Sequence, residues 1–279
     1  MIPLLVLLIF ILGSSIGSYI AGRSFRIIHN EDTDSFGRSH CPSCHHTLAW
    51  YDLLPILSYL SLQGKCRYCK KEFSNSYFFI ELTLGVLFVL GTVFPTSIFS
   101  VLTLDNTTSL LVACTKVLIS WIGLSLVLYI SVIDLKLKAF PITGLMIGTG
   151  IIAAIKFLLS TITQDPLYIT ASLGAAGTYL LFFMCIKYIG SLVYKKEVLG
   201  DGDLYLVFFL GMLLGFRASI VSFYIAIIVG GIWGTYLLLG KKMARQTSIA
   251  FGPLLALGCI GAIFFSDPVI AWYSTLLGL

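Results

Sequence analysis

Apolar runs of about twenty residues recur along the chain between shorter polar stretches, and a run of that length spans the hydrocarbon core of a bilayer. In order they predict membrane helices near residues 2–21, 75–94, 110–133, 141–160, 168–190, 203–216, 219–239 and 251–272. Eight crossings leave both ends of the chain on one face of the membrane. The sixth run is short: Leu204 to Phe216 is 13 residues, about 20 Å of helix at 1.5 Å per residue, against a hydrocarbon core of about 30 Å. Asp203, which opens it, is therefore expected at or below the membrane surface. Irregular backbone at that depth is tolerable only where it lines a cavity inside protein. The turn Gly200-Asp201-Gly202-Asp203 is accordingly a candidate active-site loop, with Gly200 and Gly202 permitting close approach of a substrate.

Composition agrees with this pattern. The chain is 58% hydrophobic and 11% charged, with mean hydropathy +0.97, which excludes an ordinary soluble domain. The first run has no basic residue ahead of it and is followed by Arg23 and Arg26. It is expected to be a membrane helix rather than a secretory signal peptide, with its N-terminus outside. In that orientation fifteen of the eighteen basic residues fall on the cytoplasmic side, and only Lys116, Lys156 and Arg217 fall outside. The net charge of +5 then serves to orient the chain, and no nucleic-acid partner is expected.

Four of the seven cysteines form two pairs in the polar stretch after the first helix, Cys41-Pro42-Ser43-Cys44 and Cys66-Arg67-Tyr68-Cys69, separated by 21 residues. This is close to the spacing of zinc ribbons, and a closed set of four thiolates leaves no position for a catalytic water, so the zinc is expected to be structural. His45 and His46 leave a mixed ligand set open, as does a loop without metal. A loop of roughly fifty residues buries little core, so a metal would supply stabilisation that packing cannot. The amphipathic stretch Trp50 to Leu62 between the pairs is suited to the membrane surface. Cys114, Cys185 and Cys259 stand singly in apolar runs and read as packing residues.

Most of the thirteen acidic residues read as solvated loop charges. Asp134 ends the run Leu110 to Ile133 and Asp203 opens the short one, so both sit at the cytoplasmic membrane boundary. Were their helices neighbours, the two carboxylates would share a proton, one activating water while the other protonates a leaving amide. The alternative for Asp134 is a simple helix-end charge. Glu81, inside an apolar run, is costly unless it faces protein, Arg26 or a polar ligand.

Together these motifs resemble the type IV prepilin leader peptidases, membrane aspartic proteases of the Gly-x-Gly-Asp type that also methylate the new N-terminus. The resemblance rests on Gly17-Ser18 with Arg26, the two cysteine pairs, Trp50-Tyr51-Asp52-Leu53-Leu54-Pro55, Leu57-Ser58-Tyr59-Leu60, Ile80-Glu81-Leu82, Asp134, Leu199-Gly200-Asp201-Gly202-Asp203 and Phe251-Gly252-Pro253. It implies that Asp134 and Asp203 are the catalytic pair. It also implies a prepilin or pseudopilin substrate cut after glycine, S-adenosylmethionine as methyl donor, and a home in the bacterial cytoplasmic membrane. Glu81 and Gly85 are the candidate methyl-donor residues. The chain departs from the family at Tyr205, where a lysine is usual, at Ala21, where asparagine is usual, and in Phe140-Pro141-Ile142.

The expected architecture is all-α and polytopic, with about eight membrane helices and a small cytoplasmic zinc-ribbon-like domain between the first two. Residues 1–22 form the first helix, 23–74 the zinc-binding part, which is also the methyltransferase candidate, and 75–279 the peptidase. The competing readings are a peptidase without methyltransferase activity, a non-catalytic zinc-bearing assembly adaptor, and an ion-coupled transporter. The last is disfavoured because the spans hold almost no ionisable residue at mid-depth.

Overall fold

The computed structural model describes residues 2–29, 39–94, 107–137, 141–195, 197, 199–239 and 251–278. Glu31, Asp32, Asp34, Arg38, Asp105, Lys138, Phe140, Lys196, Lys241, Lys242 and Arg245 lie outside them. The described chain is helical, with long helices α1 (Ile2–Ile28), α3 (Ser76–Val93), α4 (Thr107–Leu137), α5 (Ile142–Thr163), α6 (Leu167–Tyr194), α7 (Asp201–Leu239) and α8 (Gly252–Leu277). A 3-10 turn, Trp50–Asp52, and the short helix α2 (Leu57–Ser61) lie between α1 and α3. All seven long helices are apolar and long enough to cross a membrane.

Seven helices accommodate eight expected crossings because α7 is two runs. Gly215 has φ 73° and ψ −175°, a conformation essentially confined to glycine. The Ser219 hydroxyl donates to the Leu210 carbonyl at 3.4 Å, although nine residues of continuous helix would separate them by about 13 Å. The chain therefore folds back at Gly215, and the expected sixth and seventh spans correspond to the runs 201–214 and 216–239. The first run is about 21 Å long, shorter than a hydrocarbon core.

The chain divides into two compact units, Met1–Thr92 and Val93–Leu279. In the first, α1 and α3 meet through glycines. A Cβ on Gly13 would lie 2.8 Å from the Leu84 carbonyl oxygen, and one on Gly17 would lie 2.9 Å from the Glu81 Cα. Small residues four apart are what lets membrane helices approach this closely, because lipid offers little hydrophobic drive for helix pairing. Gly85 belongs to the same contact, with Ser14 and Phe10 against it.

In the second unit the first run of α7 is the central element. Leu206, Val207, Phe209, Leu210 and Met212 are all at most 1% exposed, packed with Ile130 of α4, Ile152 of α5, Ala176 of α6 and Leu255 of α8. Gly211 allows the close approach of α6, since a Cβ there would lie 2.6 Å from the Ala176 Cα. The outer faces of the same helices, such as Phe157, Leu181 and Ile232, are exposed apolar surface suited to lipid.

The turn makes a separable prediction. A Cβ at Gly215 would meet nothing within 4 Å, so Gly215→Ala costs backbone strain alone, about 1–3 kcal/mol. Gly22→Ala, in helical backbone with equally open space, should leave stability unchanged or slightly raised. Thermal unfolding in detergent, followed by circular dichroism, checks the pair.

Candidate functional site

In the first unit the polar loop is organised by two matching turns. The Cys41 N–H donates to the His46 carbonyl and the Cys66 N–H to the Lys71 carbonyl, while the His45 and Lys70 N–H groups return to Cys41 and Cys66. His45 and Lys70, each four residues after the first cysteine of its pair, share a positive φ of 54° and 59°. Short bridges, His40 with Thr47 and Lys65 with Glu72, close each turn. Two such turns facing each other bring Cys41, Cys44, Cys66 and Cys69 together, with all sulfurs within 4.8 Å of one another. Cys41 Sγ and Cys69 Sγ are 3.8 Å apart, the edge of a tetrahedron with metal–sulfur bonds of about 2.3 Å. The four thiols are free, not disulfide-bonded. The donor set and its size fit zinc, and His45 and His46 do not join the cluster.

Beside the cysteines, Asp52 is buried and braces the loop. Arg67 Nε donates to its Oδ1 at 2.7 Å, the Tyr68 hydroxyl to its Oδ2 at 3.2 Å and the Ala49 N–H to Oδ2 at 3.3 Å. Burial opposes its charge, but the hydrogen bonds from Arg67, Ala49 and Tyr68 outweigh it and hold the carboxyl below the ordinary value. Its hydrogen bond with Tyr51, burial and the Asp52 charge push the Tyr68 phenol up to about 12. Arg67 lies over the Tyr51 ring, 5.1 Å from its centroid.

Glu81 is buried, at 7% exposure, and is not an isolated charge. The Ile56 N–H donates to its Oε2 at 2.7 Å, and the Ser18 hydroxyl also bonds to it. Ile56 makes that bond from φ 63°, ψ −50°, an outlier for a β-branched residue. Strain of about 1–3 kcal/mol is comparable with the roughly 1.5–3 kcal/mol of a hydrogen bond to a charged group, so each feature offsets the other. Glu81, Arg26, Asp52, Ser18, Ser58 and Tyr77 line one cavity in this unit. Gly85 is not among the residues that line it; its place is the α1–α3 contact.

In the second unit Asp134 lies one turn before the end of α4 and Asp203 in the first turn of α7. Both are buried, at 3% and 7% exposure, and they lie within electrostatic reach of each other. The Gly200 N–H donates to Asp203 Oδ2 at 3.3 Å and the Asp203 N–H returns to the Gly200 carbonyl at 3.2 Å. Asp203 Oδ1 is buried with no hydrogen-bond partner among the described residues. Asp201, two residues earlier, is exposed and forms an ion pair with Lys187 of α6. The field of Lys187 also reaches Asp203.

In the sequence Lys187 is one cytoplasmic-side cation among fifteen, and no spacing rule links it to a turn fourteen residues on. Tyr205, at the usual lysine position, is partly exposed. The strained Ile56 had no local sequence signal either, since β-branched residues normally avoid that conformation.

Two stretches match known families. Residues 11–94 match the Bacterial Peptidase A24 N-terminal domain and residues 121–235 the Type IV leader peptidase family. Among curated relatives, a prepilin leader peptidase/N-methyltransferase of Myxococcus xanthus is 34% identical over 242 residues, covering 87% of this chain and 66% of that protein. A type 4 prepilin-like proteins leader peptide-processing enzyme of Escherichia coli is 30% identical over 81% of this chain and 75% of its own length. A prepilin leader peptidase/N-methyltransferase of Bacillus subtilis is 27% identical over 95% of this chain and 96% of its own length. No solved structure matches. Two family matches, one centred on each compact unit, and relatives aligned along most of the chain lead to one conclusion: this chain belongs to the type IV leader peptidase family.

Proposed function

We propose that the protein is a prepilin leader peptidase that cuts the basic leader of a prepilin or pseudopilin after glycine, with Asp134 and Asp203 as its catalytic pair, and that it then methylates the exposed N-terminus. The observation that carries the peptidase reading is the burial of these two carboxylates within electrostatic reach of each other, one of them on a Gly-Asp-Gly turn. Neighbouring carboxylates in a site of low dielectric resist joint ionisation, so the pair holds one proton between them. The ionised member takes a proton from water, whose oxygen bonds to the scissile carbonyl carbon. The protonated member passes its proton to the leaving amide nitrogen as the C–N bond breaks. Asp203 Oδ1, buried without a hydrogen-bond partner among the described residues, is available to meet that water. Lys187, paired with Asp201, fixes the turn that carries Asp203.

The basic residues flanking the apolar helices support a cytoplasmic position for the metal loop and for both aspartates. There a leader emerges from the bilayer while its apolar segment stays in lipid. The four cysteines would hold a structural zinc that fixes the loop carrying Trp50 to Leu62. The cavity of the first unit combines Arg26 with the carboxylates of Glu81 and Asp52, charges that complement a zwitterionic methyl donor such as S-adenosylmethionine, and at about 140 Å³ it would have to widen to admit one, since ligand sites typically run to roughly 300–1,000 Å³. When bound, the donor supplies a methyl group on a sulfonium sulfur. Glu81, its Oε2 held by Ile56, is placed to accept the proton that the amine must lose. Gly85 acts here at one remove, by letting α1 and α3 pack closely enough to set the position of Glu81.

Asp134→Asn and Asp203→Asn should each lower leader cleavage by about 10³-fold or more, a general acid or base being worth about 10²–10⁴, with zinc content unchanged. Cleavage of reconstituted prepilin, resolved by gel electrophoresis, measures it; either variant cutting at the wild-type rate refutes the pair. Glu81→Gln should spare cleavage and lower methylation of the product about a hundredfold, read by mass spectrometry of the pilin N-terminus. Cleavage without any methylation by the wild type would leave a peptidase alone.

A further inference from the structure

The three cations that sequence reading leaves outside, Lys116, Lys156 and Arg217, come together in the second unit, where all three line one cavity of about 640 Å³. That volume lies within the range of about 300–1,000 Å³ typical of ligand sites. Asp267 is the one acidic residue on its wall, and among the described residues no ion pair joins it to any of the three. Lys156 forms the fixed part. Its ammonium donates to the Ser172 hydroxyl at 2.8 Å and to the carbonyls of Met212 and Leu213 at 2.7 and 3.1 Å. Those carbonyls end the first run of α7, where the break at Gly215 leaves helix acceptors without their usual partners. A cation at that end also meets the negative end of the helix dipole. Lys116 and Arg217 are exposed. The remaining wall is largely apolar, with Ile119, Leu159 and Ile263 among its residues.

The cavity is remote from the aspartates of the same unit. Lys116 precedes Asp134 by eighteen residues of α4, about 27 Å of helix, and Leu213 follows Asp203 by ten residues, about 15 Å. An excess of positive charge facing an apolar wall, in helices that otherwise face lipid, matches an amphiphile with an anionic head. Basic pockets between membrane helices bind lipid headgroups in this way.

We propose that this cavity binds the phosphate of one anionic phospholipid, with Lys156 beneath it, Lys116 and Arg217 beside it, and the acyl chains running along the apolar wall. A soluble phosphate shares the head chemistry but gains nothing from that wall.

The test uses the full chain in nanodiscs of phosphatidylcholine with phosphatidylglycerol, ejected into a mass spectrometer that counts lipids retained per protein. Wild type should retain one phosphatidylglycerol. Lys116→Gln with Arg217→Gln should weaken retention about thirtyfold, each cation near a lipid head contributing roughly fivefold. Asp267→Asn should strengthen it. Both changed cations are exposed, and an unaltered circular-dichroism spectrum checks the fold; the single variants, expected at about fivefold each, serve if the double variant unfolds. Equal retention by wild type and variants overturns the proposal. Inorganic phosphate should not displace the lipid at equal concentration, and displacement would assign the cavity to a soluble anion instead.

Discussion

In the proposed mechanism Asp134 and Asp203, buried within electrostatic reach of each other, share one proton, because each raises the cost of ionising the other where water is scarce. The second unit is arranged around this constraint. Asp134 comes from the end of one long helix and Asp203 from the start of a short one. The short run is gripped by Gly211 against α6 and by a buried apolar core on its remaining faces. Both of its ends are capped by polar groups of the chain itself. Gly200 and the Asp201–Lys187 pair serve the end that carries Asp203, and Lys156 serves the end that stops at Gly215. In a hydrocarbon setting such caps replace the water that would satisfy helix ends elsewhere.

The first unit solves a different problem. Its loop is too small to bury a core, so order comes from point connections: four converging sulfurs, the Asp52 hydrogen bonds to Arg67 and Tyr68, and the bond from Ile56 to Glu81. The last of these ties the loop to α3, and Gly13 and Gly17 tie α3 to α1. A strained Ile56 persists because the surrounding bonds fix it. Backbone held in that way is pre-organised, and it presents a carboxylate to a cavity with little left to rearrange.

Much of this was legible in the sequence because the signals are local. Apolar length gives the spans, and Cys-x2-Cys spacing gives a cluster that the turns then close. A Gly-Asp-Gly-Asp turn before an undersized span marks Asp203. The two expected spans of residues 203–216 and 219–239 are the two runs of α7, and only the conformation of Gly215 at the break between them cannot be read from its neighbours. What the sequence could not supply depends on which helices touch. Lys187 meets Asp201 through the packing of α6 on α7. Lys156, expected at an outer end, turns its ammonium inward because Gly215 frees two carbonyls there. Gly85, read as a binding residue, sits in the α1–α3 contact against Ser14 and Phe10, which sequence distance gives no means of seeing.

In the proposed active site Asp134 and Asp203 face one another. The most direct test is the double variant Asp134→Cys with Asp203→Cys, treated in native membranes with a short thiol-bridging reagent, the linked peptide being identified by mass spectrometry. Rapid linkage of these two positions is expected, slowed by a prepilin substrate that occupies the site. Positions that stay unlinked in a chain with an unaltered circular-dichroism spectrum would contradict that arrangement.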